Sequence, residues 1–159
     1  MISTTYKFAA RAKAFTLVEL LMVVVIVSIV GAIALPRYGN AVAHYRLDAA
    51  AKRIVADIDY ARALAMSTSQ SRSIIFSPAY QTYSIANVTS LDNRSNTYTV
   101  NLTAEPYKST LVSATFGASS TITFDPYGTP SSGGTVVVRT PTTQKTLTID
   151  ATTGKATFP

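Results

Sequence analysis

The stretch Ala14-Phe15-Thr16-Leu17-Val18-Glu19-Leu20-Leu21 opens an apolar run that continues without a second charge to Leu35. Residues 15–35 number 21, and as a helix they would measure about 31 Å, which matches the hydrocarbon core of a bilayer. The segment is long enough to span a membrane. Glu19 is the residue that does not fit, because a carboxylate within an apolar span costs at least ~2.5 kcal/mol. It is expected to have a partner.

Upstream, Lys7, Arg11 and Lys13 form a basic leader with no acidic residue, which the positive-inside bias keeps in the cytoplasm, so the body faces outward. An ordinary secretory signal places its small-residue cleavage site after the apolar stretch, whereas here Ala14 precedes it. Cutting at Ala14 would leave the hydrophobic segment attached.

These residues, FTLVEL over 15–20 above all, resemble the leader of type IV prepilins and type II secretion pseudopilins, with Ala14 standing where that family most often has Gly. The resemblance implies that a prepilin peptidase removes residues 1–14 by cutting between Ala14 and Phe15 and then methylates the new amino group of Phe15. It also implies a single-pass protein of the bacterial inner membrane, with its C-terminal head in the periplasm or displayed on a filament of other pilins or pseudopilins. In the processed chain Glu19 would lie one helical turn from the Phe15 ammonium. Its own terminus or a neighbouring subunit's could pair with it, and pairing between subunits would set the filament register. The plainer reading is a carboxylate close enough to the helix end to reach headgroup water.

Gly31 and Pro36 punctuate the end of the run. Pro36 removes the hydrogen bond its amide would give Ala32 and Gly31 weakens the preceding turn, so a kink or local melting is expected. The resemblance gives Pro36 an assembly role, since it implies unwinding near this proline when subunits pack. Ser28 is expected to bond back to its own helix.

Of the formal charge of +6, Lys7, Arg11 and Lys13 carry half, which leaves 11 basic against 8 acidic residues and about +3 on residues 15–159. So mild a charge says little about nucleic acid. With no cysteine, the outer domain has no disulfide and must rely on core burial.

Past Pro36 the helical period resumes, with Leu47, Ala51, Ile54, Ile58, Ala61 and Ala65 on one face. Arg46, Asp48, Lys52, Arg53, Asp57, Asp59 and Arg62 are assigned to the other, with Asp48 and Lys52 at a favourable spacing for an ion pair. The helix is expected to end within 67–71, where Ser-Thr-Ser-Gln-Ser breaks the pattern.

From Arg72 onward the period becomes 2. Strands are expected at 73–76, 81–86, 97–102, 109–114, 121–124, 135–140, 146–149 and 155–158. Turn signals separate them, among them Ser77-Pro78, Asp92-Asn93, Glu105-Pro106, Asp125-Pro126-Tyr127-Gly128, residues 131–134 and Thr153-Gly154. No helix intervenes, so the sheets should be mostly antiparallel, with one sheet face covering the apolar side of the helix.

The expected fold is therefore α+β and pilin-like: leader 1–14, transmembrane or filament-core half 15–36, amphipathic half 37–71 and a β-rich head 72–159. The segments ITFDPYGTP (122–130), VVVR (136–139) and IDATTGKATF (149–158) extend the resemblance to the GspH/FimT branch of minor pseudopilins, low-copy subunits of a type II secretion pseudopilus or a type IV pilus. Some pilus members of that branch bind DNA near the C-terminus. Arg139, Lys145 and Lys155 are the basic residues here that would do so, although three cations without stacking aromatics more often form a solvated edge.

Chemistry is not legible. His44 is the only histidine and sits beside Tyr45 and Arg46 on the start of the outer helix, as a solvated side chain would. Asp92, Glu105, Asp125 and Asp150 fall at turns, where turn chemistry explains them better than acid and base catalysis. One loop carboxylate, Asp125 beside Gly128, is too few for calcium. Neither a metal, a cofactor nor an enzyme activity is expected. The reading is a structural assembly subunit, with a DNA-binding minor pilin as the alternative.

Overall fold

The computed structural model describes residues 15–90 and 97–158, with the backbone alone for residues 34–36. The leader, Ala14 and the Asp92-Asn93 turn fall outside the described residues. The element order is α1 (Leu17–Thr68), β1 (Arg72–Ser77), a single 3-10 turn (Pro78–Tyr80), β2 (Thr82–Thr89), β3 (Thr97–Asn101), β4 (Thr110–Phe116), β5 (Thr121–Phe124), β6 (Gly134–Arg139), β7 (Gln144–Ile149) and β8 (Ala156–Thr157). Each strand falls on a segment where alternation predicts one. The 3-10 turn occupies the Ser77-Pro78 signal. The chain divides into two compact units between Tyr38 and Gly39.

In the first unit α1 begins on a side-chain cap: Thr16 Oγ1 accepts the Glu19 N–H at 3.2 Å, and the Thr16 carbonyl accepts the Leu20 N–H. Thr16-Leu-Val-Glu19 has the spacing of a capping box, with the acidic residue in the first turn where the helix dipole favours it. From Phe15 to Ile33 the large apolar side chains stand open, as in Leu17 at 78 % and Val27 at 63 % exposed. Ser28 Oγ donates to the Val24 carbonyl at 2.7 Å, the back-bond the sequence predicts. The helix is assigned without a break through Gly31 and Pro36. Local melting is therefore absent from the single chain.

In the second unit Leu47, Ala50, Ala51, Ile54, Ile58, Ala61 and Ala65 are wholly buried in one core with side chains from all eight strands. Removing each of the larger aliphatic side chains from water stabilises the unit by about 1.5–3 kcal/mol, an upper estimate. The strands form not one but two four-stranded antiparallel sheets, sheet A in the order β3-β2-β1-β5 and sheet B in the order β4-β6-β7-β8. Two bulges adjust the period. Asn87, in the left-handed region at φ 58, lets Val88 rather than residue 87 turn inward. A second shift between Leu111 and Ser113 brings Ala114 and Phe116 inward.

The helix ends at Thr68 because Ser69 turns left-handed at φ 52, and the Gln70 N–H then reaches the Ala65 carbonyl at 3.2 Å, the pairing of a Schellman cap. No basic residue lies in the last helical turn. Arg72 supplies that charge from β1: it is 9 % exposed and donates to Thr68 Oγ1, Gln70 Oε1 and the Asn87 carbonyl. A cation there complements the negative end of the helix dipole.

Candidate functional site

The features that bear on assembly are the N-terminal end of α1 and the contacts that lock the helix to the head. At the end, Phe15 is 79 % exposed, and Glu19 also faces solvent, one helical turn away. Nothing in the single chain engages the Glu19 carboxylate among the described residues. The capping role of Thr16 was missed at the sequence level, although Thr-x-x-Glu before an apolar run signals it.

The lock centres on Asp57, only 5 % exposed. Its Oδ2 accepts the Tyr83 hydroxyl at 2.5 Å and Arg53 Nε at 3.1 Å, and its Oδ1 accepts the Tyr98 hydroxyl at 2.7 Å. Arg53 Nη2 also donates to the Tyr98 hydroxyl. One helical carboxylate thus ties α1 to β2 and β3. Burial, and then the neighbouring Asp57 charge, pushes the Tyr83 hydroxyl far above the ordinary tyrosine range. Tyr98 moves the same way, from burial and its hydrogen bond to Asp57. Burial works against the Arg53 charge, but Asp57 more than offsets it and the guanidinium is held charged. Asp57 is therefore not on the solvent face assigned to it. The spacing contained the signal, since 57 lies three residues after core Ile54 and four before core Ala61.

A second tie joins α1 to β7. Lys145 Nζ lies 2.7 Å from Asp48 Oδ1 and 4.7 Å over the Phe158 ring, and its hydrogen bond holds the Asp48 carboxyl below the usual carboxylate range. Asp48 pairs across the fold rather than with Lys52.

Turns complete the head. Asp125 Oδ1 accepts the N–H groups of Tyr127 and Thr129 at 2.9 and 2.8 Å, and Arg62 Nε donates to the Gly128 carbonyl at 3.1 Å. Gly128 has φ +80, and a Cβ there would come within 2.8 Å of Met66 Sδ. Asp125 is a turn residue docked on the helix, as its position predicts. In the Asp150-Ala-Thr-Thr-Gly-Lys turn, Asp150 Oδ1 accepts the amides of Thr152 and Thr153. The Thr153 amide, then that of Thr152, holds this carboxyl below its ordinary value. Gly154 turns at φ +68 where a Cβ would meet the Phe124 ring at 2.7 Å.

The three cations do not form one patch. Lys145 pairs with Val138 across the ladder and so shares its inward face, while Arg139 pairs with Gln144 and faces out. Lys155 is also exposed, but its carbonyl accepts the Asp150 N–H, six residues along β7 from Gln144, or about 20 Å. Register thus spreads the three cations over both faces and the far end of sheet B.

Comparison with known proteins places the two halves. The profile described as Prokaryotic N-terminal methylation motif matches residues 9–35, and the one described as Type II transport protein GspH matches residues 50–153, well over half of the chain. The chain belongs to the GspH family. Two crystal structures of the type IV minor pilin FimU from Pseudomonas aeruginosa, in space groups P21 and P65, share the fold. Each has a TM-score of 0.50; the identities are 19 % and 20 %, and the alignments cover 73 % and 71 % of this chain and 90 % and 92 % of theirs. No match was found among curated proteins.

As a GspH-family chain it is a minor pseudopilin or pilin of type II secretion or the type IV pilus, a structural and non-enzymatic subunit. The methylation motif implies processing by a prepilin peptidase, and the family implies other pilins as assembly partners. Its apolar N-terminal helix is consistent with the membrane anchor of pilins. Among the described residues no cluster of acidic or histidine side chains could hold a metal, and His44 is exposed on α1, where it bears on the Asp48 carboxyl.

Proposed function

We propose that this chain is a low-copy filament subunit anchored in the bacterial inner membrane by residues 15–36. Residues 37–71 carry the β head, residues 72–159, in the periplasm or on the filament surface. A prepilin peptidase removes residues 1–14 between Ala14 and Phe15 and methylates the Phe15 amino group. Glu19 then pairs with the Phe15 ammonium of a neighbouring subunit. Pro36 gives the flanking helix freedom to unwind on packing, since its missing N–H leaves one carbonyl without a helical partner. The observation that carries this reading is an exposed carboxylate one turn into α1, in a stretch, residues 15–35, that is otherwise uncharged and apolar. In hydrocarbon such a group needs a cation, and a neighbour's terminus is at the right depth.

Orientation is tested with a C-terminal reporter active only outside the cytoplasm. The full chain should give activity in the membrane fraction; a reporter present at full length in that fraction but inactive would contradict the placement. DNA is the other partner to test. Three neutralised phosphates would give a slope of about −2 to −3 in log K against log salt. Because Arg139, Lys145 and Lys155 are dispersed, titrating the detergent-solubilised chain with labelled duplex at two salt concentrations should show weak binding that Lys155→Ala leaves unchanged. A steep slope reduced by about one in that variant would restore the DNA reading.

A further inference from the structure

We infer that the open edge of β3 is a docking surface for an extended, acidic polypeptide segment of a partner protein, which adds to sheet A as a fifth strand. A sheet edge left unpaired is a template for another chain, and folded proteins normally blunt it. The other edges of this head are blunted. Beside β5, Ser131 takes the Thr123 groups: its N–H donates to the Thr123 carbonyl and its hydroxyl accepts the Thr123 N–H. On β4, the Gln81 side chain accepts the Leu111 N–H at 2.7 Å and donates to the Leu111 carbonyl. At the far side of sheet B, β8 is two residues long.

β3 has no such cover among the described residues. The Leu102 N–H donates to the Gln81 carbonyl and Val100 faces Tyr83 in the same register, so the even-numbered residues bond to β2. Thr99 and Asn101 therefore aim their N–H and C=O groups away from the sheet. That side opens on a groove of about 350 Å³ lined by Arg53, Tyr98, Thr99, Asn101, Pro106 and Tyr107. An extended backbone could take the outward groups while its side chains enter the groove.

Charge selects the occupant. Arg53, Arg46 and Lys108 surround the groove, and the one carboxylate on its wall among the described residues, Glu105, is already bridged by Lys108 at 2.5 Å and Arg46 at 3.5 Å. Arg53 is committed to Asp57 through Nε and to Tyr98 through Nη2, yet its side chain stays 39 % exposed. β3 itself carries no charged residue to repel a strand. An acidic side chain therefore fits, whereas a second copy of this chain would bring the same basic rim.

The test uses the full chain in detergent micelles and two heptapeptides of alternating Thr and Val, one with a central Asp and one with a central Lys, followed by hydrogen exchange. The acidic peptide should slow the Thr99 and Asn101 amides by about tenfold or more, equivalent to ~1.4 kcal/mol, and the lysine peptide should not. Thr99→Pro deletes an outward N–H on an edge strand, where proline is tolerated; it should abolish the protection while leaving the unfolding midpoint near that of the parent. Should that variant unfold, the two peptide arms on the parent chain decide alone. No protection by the acidic peptide, or equal protection by both, would overturn the inference. So would slow exchange before any peptide is added, or protection that rises with protein concentration alone, the mark of a second copy. The readout needs no filament, so its failure is separate from any failure of the filament reading.

Discussion

Asp57→Ala is expected to destabilise the second unit by about 3–5 kcal/mol, the cost of removing one partner from a buried charged network. The substitution strands three donors at once: the Tyr83 hydroxyl, the Tyr98 hydroxyl and Arg53 Nε. It also leaves a part-buried guanidinium without its counter-charge. Tyr83→Phe removes a single donor and should cost about 0.5–1.5 kcal/mol, or somewhat more because its acceptor is charged. Urea unfolding followed by tyrosine fluorescence measures both, since the chain has nine tyrosines and no tryptophan. A loss below about 1 kcal/mol for Asp57→Ala would show that the carboxylate is not what joins α1 to β2 and β3.

Glu19→Ala should reduce incorporation into the filament by about tenfold or more, a coupling of only ~1.4 kcal/mol, while insertion stays intact or improves by about 2.5 kcal/mol. The Thr16 cap raises a rival explanation, because Ala also removes the acidic member of a capping box. Glu19→Gln separates the two, since glutamine serves a capping box and carries no charge. If pairing with a neighbour's Phe15 ammonium is what matters, Gln fails like Ala in co-purification with sister subunits. If capping is what matters, Gln behaves like the parent. Normal co-purification of both variants would mean that the carboxylate is merely tolerated.

Local features of the fold were legible because local chemistry decides them. The change from helical to alternating period at Arg72, the stop near Ser67, and Asp125 and Asp150 as turn residues each depend on a few neighbouring positions. What escaped depends on tertiary partners. Asp57 was assigned to solvent because its charge outweighed its place between Ile54 and Ala61, and its burial rests on the hydroxyls of Tyr83 and Tyr98 together with Arg53. Asp48 was matched to Lys52 by spacing, but Lys145 reaches it from β7. The division into two sheets was also hidden, since no residue within a strand reports which neighbour it pairs with. The bulges at Asn87 and beyond Leu111 shift the inward phase for the same reason. Arg139, Lys145 and Lys155 are near one another in the chain, yet strand register sends them to different faces and ends.

The central claim is that residues 15–36 stay on the mature chain while residues 1–14 do not, and intact mass after co-expression with a prepilin peptidase tests it most directly. The account predicts a chain beginning at Phe15 and heavier by one methyl group, with the unprocessed mass recovered when the peptidase is omitted. A chain that keeps residues 1–14 in the presence of an active peptidase, or one cut after Leu35, would contradict it.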